Sequence, residues 1–294
     1  MMSRVAGHSV AFGRPVNPSN SKNMTRPTAI AIGAHPDDVE FHMAGALILL
    51  KRAGYETHYF CLASGNCGTV EYSAAKIRAV RAAEAREGAR ILGATFHPCI
   101  TDDLEIVYSV ELLRKVAAVI RQVRPTVVLT HSPQDYMEDH MATSRLAVTA
   151  AFARGAPNFQ TIPRTKAGNH DVTVYHTMPH GLCDQLGQPV VPGVFVNTTE
   201  VQAIKRQALA AHKSQQNWLD LSQKFNSFLQ TMEDASLALG KMSKKFKYAE
   251  GWRRHLHLGF CGPQTDPLRD ALGKDCLLNA RYKRNMVRMT PVQY

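Results

Sequence analysis

Two short polar runs carry residue types that do chemistry together. The first is Ala34-His35-Pro36-Asp37-Asp38-Val39-Glu40; the second spans His131-Ser132-Pro133-Gln134-Asp135-Tyr136-Met137-Glu138-Asp139-His140. Imidazole nitrogen and carboxylate oxygen are the ligands zinc takes when thiolates are absent, and a catalytic site keeps one position open. His35 and Asp38 form a near pair of candidate ligands, and His140 is a distant third. Pro36 stiffens the first loop and removes one donor that would need a partner. Asp37, adjacent to a ligand but directed elsewhere, is placed to take a proton from water that the metal acidifies to a pKa of about 7. A turn with a helix cap is the plain alternative for His35–Asp38, because Asp caps helix N-termini readily. The second Asp-His run favours the metal. The six cysteines, Cys61, Cys67, Cys99, Cys183, Cys261 and Cys276, include no CxxC pair, which fits neither a disulfide framework nor a thiolate zinc site.

Elements must bring the two runs to one place. Thr28–Gly33 is a short apolar run suited to a buried first strand. A helix is expected from about Phe41 to Arg52, a strand over Thr57–Ala63, a loop at Ser64–Gly68, and a helix ending in Leu92-Gly93. A third strand over Thr95–Ile100 precedes a helix over Val110–Val123, which Pro125 stops. A fourth strand, Thr126–Thr130, leads through the second polar run into a helix from about Asp139 to Arg154. This alternation predicts an α/β, Rossmann-like, mostly parallel sheet with helices on both faces. In such sheets ligands bind beyond the carboxyl ends of the strands, where both polar runs fall. Farther on, Val172–Thr177 and Val194–Asn197 read as strands, Glu200–His212 as a helix with more helix through about Leu239, and 241–254 as a basic helix. Leu256–Phe260 reads as a last strand, and residues 263–294 as an irregular basic tail. Residues 1–27 show no apolar periodicity and read as a disordered lead; initiation at Met24 would cost the fold nothing. One domain is expected over 28–262.

The formal charge of +11 raises a nucleic-acid reading. Residues 1–27 carry four Lys/Arg and no acid, 241–254 six against one, and 268–294 six against two. These stretches hold more than the whole excess, so the body is near neutral, which argues for solvated ends and against a nucleic-acid partner. No run of about 18 apolar residues predicts a membrane span. The N-terminus lacks the apolar core of a secretory signal, so a cytoplasmic protein is expected.

Ala34–Glu40 resembles the AHPDDxE signature of the PIG-L/LmbE-like zinc deacetylases, and Asp139-His140 resembles that family's second motif. Arg78–Gly93 is similar to its RxxE…LG helix, with Arg81 and Glu84 in register, and the likeness covers about residues 28–260. The resemblance implies hydrolysis of an N-acetyl group on a small glucosamine-type conjugate, often by a homo-oligomer. It implies His35, Asp38 and His140 as zinc ligands (another divalent transition metal being possible) and Asp37 as the general base. It also implies Arg81 and Asp102 as holders of sugar hydroxyls, although Asp103 beside Asp102 could do the same. Met137 departs from the pattern, because family members often place a helper histidine there. A tetrahedral oxyanion still needs a donor. His257 is the first candidate, with His255 beside it and His176 or His180 after them. His212-Lys213-Ser214-Gln215 is similar to a short HxSQ segment of these deacetylases and reads as structural or lid-forming. Tyr136 could donate to a substrate oxygen. An inactive binding module of the same fold, or a basic nucleic-acid-associated factor, are the competing readings.

Overall fold

β1 (Thr28–Gly33) is buried along its whole length, as expected of a central parallel strand covered on both faces. In the computed structural model, which describes residues 26–215 and 228–282, it pairs in parallel with β2 (Glu56–Cys61) on one side and β4 (Val127–Thr130) on the other. Successive side chains of a strand point to opposite faces. Ala29 and Ala31 accordingly pack with Leu47, Leu50 and Leu92 from α2 (Ala44–Arg52) and α3 (Ala74–Leu92). Ile30 and Ile32 pack with Leu113, Val116 and Leu146 from α4 (Val110–Val123) and α5 (Glu138–Phe152).

The sheet has eight strands in the order β3-β2-β1-β4-β5-β7-β6-β8. β3 (Thr95–His97) and β5 (Thr173–Thr177) extend the parallel part. β7 (Ala249–Arg254) is antiparallel to both β5 and β6 (Val194–Asn197), and β8 (Cys276–Leu278) is antiparallel to β6. The strand order reverses between β1 and β4, so the crevice at that switch point lies between the loops carrying His35 and His131. Ser73 and Ser109 cap α3 and α4 by accepting the N–H of Lys76 and Leu112. No helix among the described residues is long and apolar enough to cross a membrane.

Four expectations need correction. The helix expected from Phe41 to Arg52 is broken at Met43 into α1 (Asp38–His42) and α2. The break is tolerated because the Glu250 carboxylate accepts the N–H groups of Gly45 and Ala46 that α2 leaves free. The 241–254 segment is not a helix: α7 (Phe228–Ser243) ends before Lys244, at φ +57°, and β7 begins at Ala249. β7 escapes sequence reading because Ala249 to Trp252 are all buried, which erases the period-two signal. Leu256–Phe260 is a turn, not a strand, closed by Phe260 N–H donating to the His257 carbonyl, with Gly259 at φ +82°. Residues after 262 are not all irregular. Asp266 caps α8 (Pro267–Leu272), with Pro267 in its first turn, and β8 adds an edge strand. The expected lead over 1–27 lies almost wholly outside the described residues.

Glu250 also accepts from Lys205 on α6 (Gln202–Leu209) at 2.7 Å, with both side chains nearly fully buried. Lys205→Met leaves that carboxylate without its cation, and urea denaturation should show a loss of about 3 kcal/mol. An unchanged midpoint would show that the two α2 N–H groups suffice.

Candidate metal centre

His35 stands two residues past the end of β1, Asp38 opens α1, and His140 lies in the first turn of α5. Asp38 Oδ2 accepts the backbone N–H groups of Ala34 (3.1 Å) and His35 (2.7 Å), closing the loop on itself. His35 Nδ1 then stands 3.4 Å from Asp38 Oδ2, and His140 Nε2 stands 3.3 Å from Asp38 Oδ1. The ligand atoms of the three residues lie within 4.8 Å of one another, and all three side chains are buried.

The far nitrogens are held by carboxylates. His35 Nε2 is 2.9 Å from Asp139 Oδ2, and His140 Nδ1 is 3.0 Å from Asp135 Oδ1. Asp139 also takes the N–H of Leu104, and Asp135 that of Met137. A carboxylate on the far nitrogen draws the proton there and leaves the near nitrogen as a lone-pair donor. Two oriented imidazoles and one carboxylate therefore suit zinc with an open position. A second group, His131, Asp135 and His140, is equally compact. Of its members only His140 lines the cavity; the His131 ring stacks on His140 with 4.1 Å between centroids.

The charges favour a cation here. Burial opposes the imidazolium of His35, but its hydrogen bonds to Asp139 and Asp38 carry its pKa up to about 9. His140 rises to about 10 by the same contest, won by Asp38 and Asp135. Burial alone would raise Asp38, yet the imidazoles of His140 and His131 hold it well below the usual carboxylate range.

Asp37 occupies an unusual backbone region, φ +102°, and its side chain makes no cap bond with α1. Its carboxylate accepts from Arg81 Nη2 at 3.2 Å, and the same nitrogen donates to the Pro36 carbonyl. Burial pushes the Asp37 carboxyl up to about 6, against the pull of the Arg81 guanidinium. Arg81 is thus chiefly spent on the loop, though it also lines the cavity, and its Nε has no partner among the described residues.

The cavity measures about 410 Å³, and His35, Asp37, Asp38 and His140 lie along its wall. Asp102 does not line it: its carboxylate pairs with Arg78 and accepts from Ser64, beside a separate open groove. The adjacent Asp103 lines the cavity and accepts the N–H groups of Gly65 and Cys67. Nor is His257 brought to the cavity. The chain turns at Leu256–Phe260 where a strand was expected, and His255 pairs with His176 at 3.0 Å. His180 and Tyr136 do line the cavity, their rings 5.9 Å apart. His42, which sequence reading missed, does so too, and its signal was the four-residue spacing from Asp38 along α1. Met137 sits on the wall where the helper histidine was expected.

The architecture is that of a Rossmann-like α/β protein with an acid- and imidazole-rich cavity at its switch point. The family described as PIG-L, GlcNAc-PI de-N-acetylase, matches residues 30–151, which include every candidate ligand, Asp37 and Arg81. The diacetylchitobiose deacetylase of Thermococcus kodakarensis is 30% identical over 232 residues, 76% of this chain and 81% of that protein. Among solved structures, the 4-carboxy-2-hydroxymuconate hydratase of Pseudomonas putida is similar at a TM-score of 0.64 and 26% identity, covering 78% of this chain and 95% of that one. The N,N'-diacetylchitobiose deacetylase of Pyrococcus horikoshii has a TM-score of 0.64 at 24% identity, covering 79% and 84%. This chain belongs to the PIG-L family.

The orienting carboxylates give a direct test. Asp135→Ala and Asp139→Ala should each weaken zinc affinity about 10- to 100-fold, read by competition with a chelator. Unchanged affinity in both would remove these residues from metal binding.

Proposed function

We propose that the protein is a zinc-dependent hydrolase that removes the N-acetyl group from a small, uncharged amino-sugar conjugate. One observation carries this reading: His35, Asp38 and His140 converge with their far nitrogens held by carboxylates, and Asp37 stands beside them on the same cavity wall. A bound zinc ion at these three residues supplies a Lewis acid for the amide carbonyl and lowers the pKa of water.

The chain's own groups do the rest. Asp37 takes the proton of the attacking water on its carboxylate and returns a proton to the amine nitrogen as the carbon–nitrogen bond breaks. Its raised pKa suits both duties near neutral pH. Tyr136 and His180 stand on the wall near His140 and supply donors to the carbonyl oxygen as it gains charge. They take over the role that Met137 cannot fill. Asp103 lies on the cavity wall where a polyol needs acceptors.

The likeness to a hydratase favours a second reading, addition of water to an unsaturated acid. A substrate with several carboxylates needs free cations. Among the described lining residues there is no lysine and one arginine, Arg81, which is spent on Pro36 and Asp37. The cavity therefore suits a neutral substrate better. Expected partners are the N-acetylated substrate and further copies of the chain.

Zinc-loaded protein should release acetate from N-acetylglucosamine conjugates, and His35→Ala should lose both zinc and activity. Asp37→Asn should keep zinc while turnover falls about 10²- to 10⁴-fold. Full zinc occupancy without acetate release from any amino-sugar conjugate would favour a binding module or the hydratase reading. A second test uses pH. Because Arg81 holds the Asp37 carboxyl down, Arg81→Gln should raise it further, and the acid limb of the kcat/KM profile should move to higher pH. A limb that stays in place would take Asp37 out of the base role.

A further inference from the structure

The segment His212-Lys213-Ser214-Gln215 is bolted to α1 and α3, which carry Asp38 and Arg81. His212 is wholly buried, and its Nε2 lies 2.9 Å from Glu40 Oε1 on α1, two residues from the candidate ligand Asp38. The other oxygen of Glu40 accepts from the Tyr59 hydroxyl at 3.1 Å. Space at this latch is tight: a Cβ on Gly88 of α3 would come within 2.0 Å of Glu40 Oε1. Ser214 donates through both its backbone N–H (2.9 Å) and its hydroxyl (2.6 Å) to Glu84 on α3, three residues beyond Arg81.

Two carboxylate latches thus fix the next residue, Gln215, relative to the candidate ligands and to Arg81. Gln215 lines the cavity, and its Oε1 is a buried atom with no hydrogen-bond partner among the described residues. A Cβ on Gly68 would come 2.9 Å from this oxygen and 2.8 Å from Arg81 Nη1, so the amide sits at close quarters with the guanidinium over a bare glycine. A buried polar atom without a partner is costly, and two independent latches hold this one against the cavity.

We propose that Gln215 is a substrate-binding residue whose side-chain amide takes a hydrogen bond from a hydroxyl or amide group of the amino sugar, the latches of Glu40 and Glu84 serving to position it. This rests on the deacetylase reading of the same cavity. A primary amide both donates and accepts, which suits an uncharged polyol.

The full-length zinc-loaded protein tests it with an N-acetylglucosamine conjugate that the wild type hydrolyses. Gln215→Ala and Gln215→Leu should each raise KM about 3- to 10-fold, the worth of one neutral hydrogen bond. Their kcat should stay within about twofold, and zinc content and Tm should hold. Gln215→Asn, which keeps the amide but draws it back by one methylene, should show the same rise in KM. Unchanged KM in all three variants overturns the proposal, as does a loss confined to kcat or zinc content. Binding is read separately by titrating the same conjugate into zinc-loaded Asp37→Asn protein with and without Gln215→Ala. Weaker binding with Gln215→Ala in a protein whose wild type releases no acetate would sustain Gln215 and remove the deacetylase reading. Equal binding beside intact wild-type turnover would do the reverse.

Discussion

A residue other than glycine does not rest at φ +102° without something to hold it, and for Asp37 the holder is Arg81. Such a backbone costs on the order of 1–3 kcal/mol. The guanidinium offsets it by donating to the Pro36 carbonyl and the Asp37 carboxylate, and it reaches the Gly65 carbonyl as well. Only a glycine fits at 65, since a Cβ there would lie 2.4 Å from the Arg81 Cδ. Because the loop is held this way, two adjacent aspartates face different partners. Asp38 turns back to the Ala34 and His35 N–H groups and to His140, while Asp37 faces Arg81. Two candidate ligands and the proposed base therefore share one loop without competing for the same atoms.

The second constraint is electrostatic. Asp38, Asp135 and Asp139 are all buried around two imidazoles, an arrangement that would be costly unless positive charge were supplied. The same carboxylates that orient His35 and His140 also favour a cation between them, so geometry and charge point to one occupant. The fold reaches this economically. β1 and β4 are neighbours in the sheet, and each has a histidine within two residues of its end, His35 and His131. β5, the next strand across, is followed three residues later by His180.

Much of this was legible in sequence. α4 and β6 have the expected limits because Ser109 and Pro125 punctuate the one and an apolar run defines the other. The trio His35, Asp38 and His140 was visible from ligand chemistry alone, and their convergence follows from parallel strands whose loops share an edge. What was not legible depended on tertiary contacts. β7 hides a buried Glu250 whose partner, Lys205, is 45 residues away. The break at Met43 depends on that same carboxylate. Choosing Asp102 over Asp103 required knowing which of two neighbours faces inward, and favouring His257 required a strand that the chain replaces with a turn. His180 was readable as a strand-end histidine, but only once β5 was known to lie beside β4.

The family match over residues 30–151 holds the candidate ligands, their orienting aspartates, Asp37 and Arg81, whereas His180, Gln215, Phe228 and Thr231 on the cavity wall all come from beyond it. The candidate ligands and one part of the cavity wall are thus written on separate stretches of one gene product. Change in the later stretch can reshape that part of the wall while the candidate ligands stay as they are. A laboratory library confined to the later stretch would explore that freedom.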